Sequence, residues 1–198
     1  MAERPARDRM VYSAAQLLRT QGLRGTGMRE VVAHAEAPRG SLQHYFPGGK
    51  EQLFGEAIGW AGRYAARRAA RAFESLPERT PSALFAAMVG QWRAELIELG
   101  YSGGCPLVAT VADVAAESDA LRERASEAFA EWRRRLVTAL DELGVPRPRA
   151  ESLAVLMISA LEGALVLARA DRDLTPLDTV VAELAPVLDA PLRRRARS

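Results

Sequence analysis

A short polar stretch, RGSLQHY, lies between two prolines within the first fifty residues. At 100° per residue in a helix, Gly40 and His44 share one side, with Ser41 and Gln43 beside them. Amide and hydroxyl side chains can hydrogen-bond base edges in the DNA major groove, and a glycine lets the backbone approach closely. The stretch therefore predicts a DNA-reading helix over Pro38–Phe46.

The opposite side of this helix is apolar, because Leu42 and Phe46 point away from the polar residues. A nine-residue helix is marginal in water, so packing must hold it in place. A second short helix is predicted just before it, at Met28–Ala35. Two short helices across a tight turn form a helix-turn-helix unit, from which Tyr45 and Lys50 are expected to reach the DNA backbone.

The distribution of charge also favours a nucleic-acid partner. The chain has 198 residues, is 48% hydrophobic and carries a formal net charge of only +2, which fits one or two ordinary folded domains. Residues 1–72 nevertheless contain twelve Lys and Arg against six Asp and Glu, whereas the rest contains fifteen against nineteen. This asymmetry indicates a polyanion as partner of the first third; solvated helix faces on an arginine-rich chain are the alternative.

Other kinds of site find little support. The single cysteine, Cys105, excludes an internal disulfide and is expected to be a small buried or cap-proximal residue rather than a redox switch. No spacing suggests a metal ligand set or a cofactor, and no nucleophile, base and orienting group assemble, so we predict no enzyme. The GGKE stretch at 48–51 lacks the Ser or Thr of a phosphate-binding loop. The N-terminus lacks the apolar segment of a secretion signal, so a cytoplasmic protein is expected.

Apolar residues at helical spacing recur along the whole chain, and no alternating strand pattern is found. Glycines and prolines separate the predicted helices. The fold class is therefore all-α, with helices expected at 8–21, 28–35, 38–46, 49–75, 80–99, 104–117, 119–143, 148–170 and 175–189.

The two short helices lie within a longer stretch that has a recognisable pattern. TGMREVVAHAEAPRGSLQHYFPGGKEQLF, Thr26–Phe54, resembles the DNA-binding signature of the tetracycline-repressor (TetR) family of bacterial regulators. GCPLVATVADVAAES, Gly104–Ser118, and LEGALVLARADRDLTPL, Leu161–Leu177, resemble the branch of lincomycin- and flavonoid-responsive repressors. On this resemblance the predicted DNA contacts are Thr26, Arg39, Gly40, Ser41, Gln43, His44, Tyr45 and Lys50.

The resemblance also implies a domain organisation: an N-terminal three-helix helix-turn-helix domain at 1–48 and a helical ligand-binding and dimerisation domain at 49–192. The arginine-rich residues 193–198 are predicted to form a disordered basic tail. Two positions depart from the family pattern. Glu36 stands where a glycine is usual in the turn, so a left-handed conformation costing roughly 1–2 kcal/mol is expected there. Gln43 replaces a common tyrosine, so the family's contact at that place does not carry over.

The second half of the chain contains a segment that is apolar nearly all round, residues 153–168. Sixteen residues are short for a membrane span, and Glu162 lies near the centre, so no membrane partner is predicted. Such a helix is either buried within the chain or paired with helix 175–189 in a four-helix interface between two subunits. We favour the homodimer, with an interface formed by Ser159, Gly163, Leu167, Val180 and Leu184.

The resemblance implies an effector enclosed by the helices that follow the first three. Large or aromatic side chains on these helices are the candidates, with a role in the core as the alternative for each: Trp60, Tyr64, Phe85, Met88, Trp92, Phe129 and Trp132. Pro106, Thr110, Asp113 and Glu117 form one stripe that is interpreted as solvent-facing. Two functions follow: a repressor that a small, largely apolar ligand releases from a near-palindromic double-stranded operator, or a helical protein that sequesters small molecules and retains residual DNA affinity.

Overall fold

The computed structural model describes residues 5–38, 40–114 and 118–195. Over these ranges the chain forms nine α-helices and no strand, which confirms the predicted all-α class. The helices are α1 (Ala6–Gly25), α2 (Met28–His34), α3 (Ser41–Tyr45), α4 (Gly49–Glu74), α5 (Pro81–Glu98), α6 (Pro106–Val114), α7 (Asp119–Glu142), α8 (Arg147–Asp171) and α9 (Thr175–Arg195).

The helices group into two compact units. The first comprises Met1–Tyr64 and Cys105–Phe129, and the second comprises Ala65–Gly104 and Ala130–Ser198. Helix α6 and the first part of α7 therefore belong to the same unit as the three N-terminal helices. Because α6 packs along α1, residues far apart in the sequence support the helix-turn-helix together.

Helix α1 is the core element of the first unit. Val11, Ala14, Ala15 and Leu18 are buried, as their spacing along one face of this helix requires. The helix predicted over 8–21 is interrupted at Gly22, whose backbone angles, φ 72° and ψ 177°, are not helical. One more turn, ending at Gly25, follows the break.

The predicted DNA-reading helix is shorter than expected. Helix α3 spans five residues instead of the nine predicted over Pro38–Phe46. It ends at Tyr45 because Phe46 precedes a proline, which disfavours helical geometry; its φ and ψ are −130° and 68°. At the other end, the Ser41 amide donates to the Pro38 carbonyl at 3.0 Å, so a turn precedes the helix.

Helices α5, α8 and α9 pack together in the second unit. The carboxylate of Asp189 on α9 accepts hydrogen bonds from the amide and hydroxyl of Ser82 at the start of α5, at 3.0 and 2.7 Å. Helix α9 continues to Arg195, so the prediction of a disordered tail from residue 193 is wrong for its first three residues. Leu and Arg are good helix formers, and basic residues suit the C-terminal end of a helix dipole.

Candidate nucleic-acid interface

The turn between α2 and α3 is held by a side chain from α1. Glu36 has a φ of 49°, which confirms the expected left-handed conformation. Arg9 donates from Nε to the Ala35 carbonyl at 2.9 Å and from Nη2 to the Glu36 carbonyl at 3.1 Å. A planar guanidinium can satisfy both acceptors at once. The turn therefore keeps its shape although a non-glycine residue occupies the strained position.

Helix α3 presents one polar side to solvent. Gly40, Gln43 and His44 are exposed, as the sequence predicts. On the other side Phe46 has no exposed surface and Leu42 is half-buried. The buried side anchors the helix, so the exposed amide and imidazole are presented outward from a supported element.

The flanking predicted contacts also have defined places. Ser41 is half-buried, and its hydroxyl donates to the Pro38 carbonyl at 2.6 Å, which stabilises the turn before α3. Tyr45 is half-buried, and its ring meets the His44 ring edge-on at 5.0 Å between centroids. This contact restrains the imidazole on the exposed side. Arg39, another predicted contact, lies outside the described residues.

Two predicted DNA contacts make bonds inside the first unit. Thr26 is fully buried, and its hydroxyl donates to the Gly22 carbonyl at 2.7 Å. Buried in this way, its side chain has no surface to offer a duplex. Lys50 is exposed, but its ammonium donates to the Leu23 carbonyl at 3.1 Å and lies 5.3 Å from the Phe54 ring centroid. Lys50 thus joins the start of α4 to the end of α1.

The stripe interpreted as solvent-facing on α6 is in fact turned inward, and that prediction is wrong. Pro106 and Thr110 are buried, whereas Val111 is 40% exposed. Asp113 accepts hydrogen bonds through Oδ2 from the amides of Leu23 and Arg24, at 2.6 and 3.3 Å. Asp113 therefore faces α1, whereas the Thr110 hydroxyl donates within α6 to the Pro106 carbonyl at 2.8 Å. Glu117 lies outside the described residues.

The proposed effector residues fall in both units. In the first, Trp60 stacks on Tyr64 with ring centroids 5.1 Å apart, and Phe129 is half-buried. In the second, Trp92 lies 6.2 Å from Trp132 between ring centroids, and both are buried. Phe85 and Met88 are buried in the second unit as well.

A polar cluster that the sequence analysis missed lies beside Trp92. The Arg68 guanidinium is 4.9 Å from the Trp92 ring centroid, bonds Gln91 at 3.2 Å and forms a short ion pair with Glu95. In the sequence Arg68 follows another arginine, Arg67, and such a pair is typical of a helix face that contacts solvent. Only the apolar residues around it, Ala65, Ala66 and Ala69 on α4, signal that it is buried.

The predicted dimer residues lie on the outer side of α8 and α9. Ser159 and Gly163 are exposed, and Leu167 is 56% exposed, whereas Val180 and Leu184 are half-buried. Helix α8 is therefore not enclosed on every side within one chain. It is also long and apolar enough to cross a membrane, but core helices of soluble proteins share these properties, and half of its apolar stretch is buried here.

Two short helices across a clamped turn, with one polar side exposed and one anchored, define a helix-turn-helix transcription regulator. Residues 12–57 match the description "Bacterial regulatory proteins, tetR family", and residues 81–183 match "Transcriptional regulator LmrA/YxaF-like, C-terminal domain". The chain belongs to the TetR family, in its LmrA/YxaF-like branch, as its sequence predicts. This is a family of transcriptional regulators and not of enzymes.

Individual relatives agree with this assignment. The chain is 40% identical over 196 residues to the uncharacterised HTH-type transcriptional regulator Rv0196 of Mycobacterium tuberculosis, covering 96% of this chain and 98% of the relative. It is 28% identical to the HTH-type transcriptional regulator LmrA of Bacillus subtilis, covering 87% and 90%. The regulatory protein TetR from Rhodobacter sphaeroides shares the fold, with a TM-score of 0.79 at 21% identity over 91% and 97% of the two chains.

Proposed function

We propose that the protein is a cytoplasmic repressor that binds a near-palindromic operator as a homodimer and leaves it when a small, largely apolar ligand binds. Residues 1–48 act as the DNA-binding domain and residues 49–192 as the ligand-binding and dimerisation domain. The observation that carries the proposal is the exposed polar side of α3, supported from beneath by the fully buried Phe46. No cofactor takes part.

Base reading is assigned to the exposed residues of α3. The Gln43 amide can make a paired donor and acceptor contact with adenine, and His44 and Ser41 can contact bases or phosphates. Gly40 allows close approach of the backbone. Phosphate contacts from Tyr45, Lys50 and Arg39 would set the register of the protein on the duplex, with Lys50 releasing its intramolecular bond to do so.

The homodimer is supported by an apolar stripe along the outer side of α8. Val155, Ser159, Gly163, Val166 and Leu167 recur at helical spacing, and the three large members are 47%, 51% and 56% exposed. Exposed apolar patches of this kind mark protein contacts. A second copy is the occupant that fits, because a two-fold dimer also supplies the two recognition helices that a palindrome requires.

The effector class follows from the groups available in the helices after α3. Rings and apolar side chains dominate: the stacked Trp60 and Tyr64 in one unit, and the neighbouring Trp92 and Trp132 in the other. Such groups favour an apolar, ring-containing molecule. Release of DNA requires that the ligand prefer the non-binding state, and a hundredfold change in affinity corresponds to about 2.7 kcal/mol of differential binding.

The test begins with selection of bound duplexes from a random pool, using the full-length protein. The expected result is one enriched near-palindrome that random-sequence duplexes do not displace at equal concentration. Candidate ring-containing ligands are then titrated while tryptophan fluorescence and operator retention are followed together. A ligand that binds tightly yet leaves operator affinity unchanged at saturation would contradict release and favour the sequestering function. Failure to enrich any sequence would contradict the repressor itself.

A further inference from the structure

The break in α1 leaves two backbone amides that another helix satisfies. Gly22 interrupts the helical hydrogen-bond ladder, so Leu23 and Arg24 begin the last turn as the first residues of a helix would. Both amides donate to Oδ2 of Asp113, at 2.6 and 3.3 Å. Asp113 thus does from α6 what an N-cap carboxylate does within one helix, and such bonds to a charged acceptor are strong.

The fit around this carboxylate is close. A Cβ at Gly22 would lie 2.5 Å from Asp113 Oδ2, a distance that real side chains do not tolerate. The φ of 72° with an extended ψ is also a conformation that essentially only glycine adopts. Glycine at this position is what allows the carboxylate to reach the two amides.

Leu23, whose amide Asp113 accepts, connects several helices of the first unit. The Leu23 amide is bonded to α6, and the Leu23 carbonyl accepts the Lys50 ammonium from the first turn of α4 at 3.1 Å. The preceding Gly22 carbonyl accepts the hydroxyl of Thr26, which stands directly before the N-cap of α2. Residues at the starts of α2 and α4, the helices on either side of α3 in the sequence, are therefore both hydrogen-bonded to the end of α1.

We propose that Asp113 is a positioning residue for DNA recognition: it fixes the last turn of α1, and through that turn the placement of α2, α4 and the α3 between them. The proposal rests on the proposed function, because it concerns how the recognition helix is presented to an operator. Asp113 does not touch the DNA. It acts by holding the Leu23 and Arg24 amides.

The direction of the change in DNA affinity distinguishes the loss of a positioning contact from the loss of a negative charge. Removing a carboxylate from the DNA-binding unit should strengthen binding to any duplex, because repulsion of phosphates falls. Loss of a positioning contact should weaken binding to the operator alone. Glu123 on α7 is a matched control, since its side chain lies in the same unit, is 67% exposed and pairs only with Arg122 among the described ion pairs.

The experiment compares Asp113→Ala, Asp113→Asn and Glu123→Ala in the full-length protein. Affinities are measured for the selected operator and for a random-sequence duplex at one salt concentration. We expect Asp113→Ala to lose about tenfold in operator affinity without losing affinity for random DNA. Asp113→Asn should lose only about threefold, because the amide oxygen still accepts hydrogen bonds. Glu123→Ala should bind both duplexes at least as tightly as the wild type.

Hydrogen exchange gives a second readout, with faster exchange of the Leu23 and Arg24 amides expected in Asp113→Ala. The inference is overturned if Asp113→Ala binds the operator as tightly as Glu123→Ala, even if its melting temperature falls, because Asp113 would then only stabilise the fold. If Asp113→Ala does not fold, operator affinity of Asp113→Asn equal to that of Glu123→Ala overturns it. If the wild type itself does not prefer the operator, the proposed function fails, which is a distinct result.

Discussion

Glu36 occupies the strained position of the turn between α2 and α3. The resemblance to the TetR family, in which a glycine is usual at this place, predicted a left-handed conformation, and the structure has a φ of 49° there. The strain, about 1–2 kcal/mol, must be offset by neighbours. Arg9 supplies two of the bonds that hold the turn. The conformation was predictable because the family resemblance marks this position of the turn, whereas the partner Arg9 lies 26 residues before Ala35 and leaves no pattern in the sequence.

A first prediction concerns base reading by Gln43, which is exposed on α3. Gln43→Ala should relax the preference at one or two base pairs by about 1–3 kcal/mol, because the paired contact with adenine is lost. The measurement is the motif enriched by each variant from the same random pool. Gln21→Ala is the matched control: this exposed glutamine uses its amide on Glu30 at 2.8 Å. An unchanged motif for Gln43→Ala would show that another residue reads those base pairs.

A second prediction concerns Asp173, which caps the start of α9. The Thr175 hydroxyl donates to its carboxylate at 2.7 Å, and the Leu174 and Thr175 amides donate at 2.6 and 3.3 Å. These bonds, the hydroxyl first, hold the pKa of Asp173 below its ordinary value of 3.8, against a small opposing effect of burial. A lowered pKa means stability that is present above the unfolded pKa and lost as pH falls through the folded pKa.

Asp173→Ala should therefore lower the melting temperature near neutral pH, and the difference from wild type should shrink as pH falls below 3.8. Thermal unfolding followed by circular dichroism checks this down to the lowest pH at which the wild type remains folded. Asp173→Asn, which keeps the oxygen acceptor but not the charge, isolates the ionic part. A difference that stays constant over the whole pH range would contradict the assignment.

At the scale of helices, periodicity predicted the elements, and tertiary contacts set their ends and their faces. Helix α4, Gly49–Glu74, matches the predicted 49–75, because its long apolar repeat can be identified from the sequence without knowledge of the elements that pack on it. Helix α3 is shorter than predicted because the backbone before Pro47 cannot stay helical. The stripe on α6 was assigned to solvent because Thr and Asp are polar, yet Thr110 is fully buried and Asp113 accepts the amides of Leu23 and Arg24 on α1. Polarity alone does not distinguish water from a backbone amide as the hydrogen-bond partner.

A third prediction tests the packing of α4 on α7. Gly55, Gly59 and Gly62 lie near one face of α4, and Gly62 is closely packed: an added Cβ would lie 2.6 Å from the Ala128 Cβ and 2.8 Å from its Cα. Because backbone cannot yield as a flexible side chain can, Gly62→Ala should lower the free energy of unfolding by about 1–3 kcal/mol. Chemical denaturation measures this.

Gly90 on α5 is the matched control for that substitution. It is exposed, and an added Cβ would meet nothing within 4 Å. Gly90→Ala should therefore raise the free energy of unfolding by up to about 1 kcal/mol, since alanine is the better helix former. If both substitutions stabilise the protein to the same extent, α4 and α7 are not in close contact at Gly62.

For the whole molecule, the apolar stripe on α8 leads to a fourth prediction. An added Cβ at Gly163 meets nothing within 4 Å in the single chain, so Gly163→Leu should leave the subunit folded. If a second copy covers this position, the leucine overpacks the contact by about 1–3 kcal/mol. Sedimentation should then show monomers at concentrations where the wild type is dimeric, with operator affinity falling in parallel.

Gly90→Leu is the corresponding control, because Gly90 is equally open but lies on α5, which carries none of the proposed interface residues. It should leave the sedimentation behaviour unchanged. A Gly163→Leu protein that stays dimeric with wild-type operator affinity would place the interface elsewhere. Loss of the fold without a monomeric stage would show instead that Gly163 serves packing within the chain.

The candidate site was predictable where its residues are consecutive. The exposed Gln43 and His44 and the buried Phe46 follow from helical spacing alone. Arg9 and Asp113 were missed because each acts on the backbone of a distant segment, and backbone acceptors and donors carry no side-chain signature. Thr26 was assigned to DNA on the family resemblance, because its burial and its bond to the Gly22 carbonyl are not visible in the sequence.

The carboxylate that α6 extends to α1 limits how this regulator can be re-engineered. Residues 1–48 invite transplantation as a DNA-reading cassette fused to a foreign sensor. Asp113 would be left behind in such a hybrid, and the amides of Leu23 and Arg24 would lose their acceptor. A portable cassette must therefore carry α6 as well, or graft an equivalent acidic residue onto the new host. The part of this protein that can be transferred is therefore the compact unit, which includes α6, and not a continuous N-terminal segment.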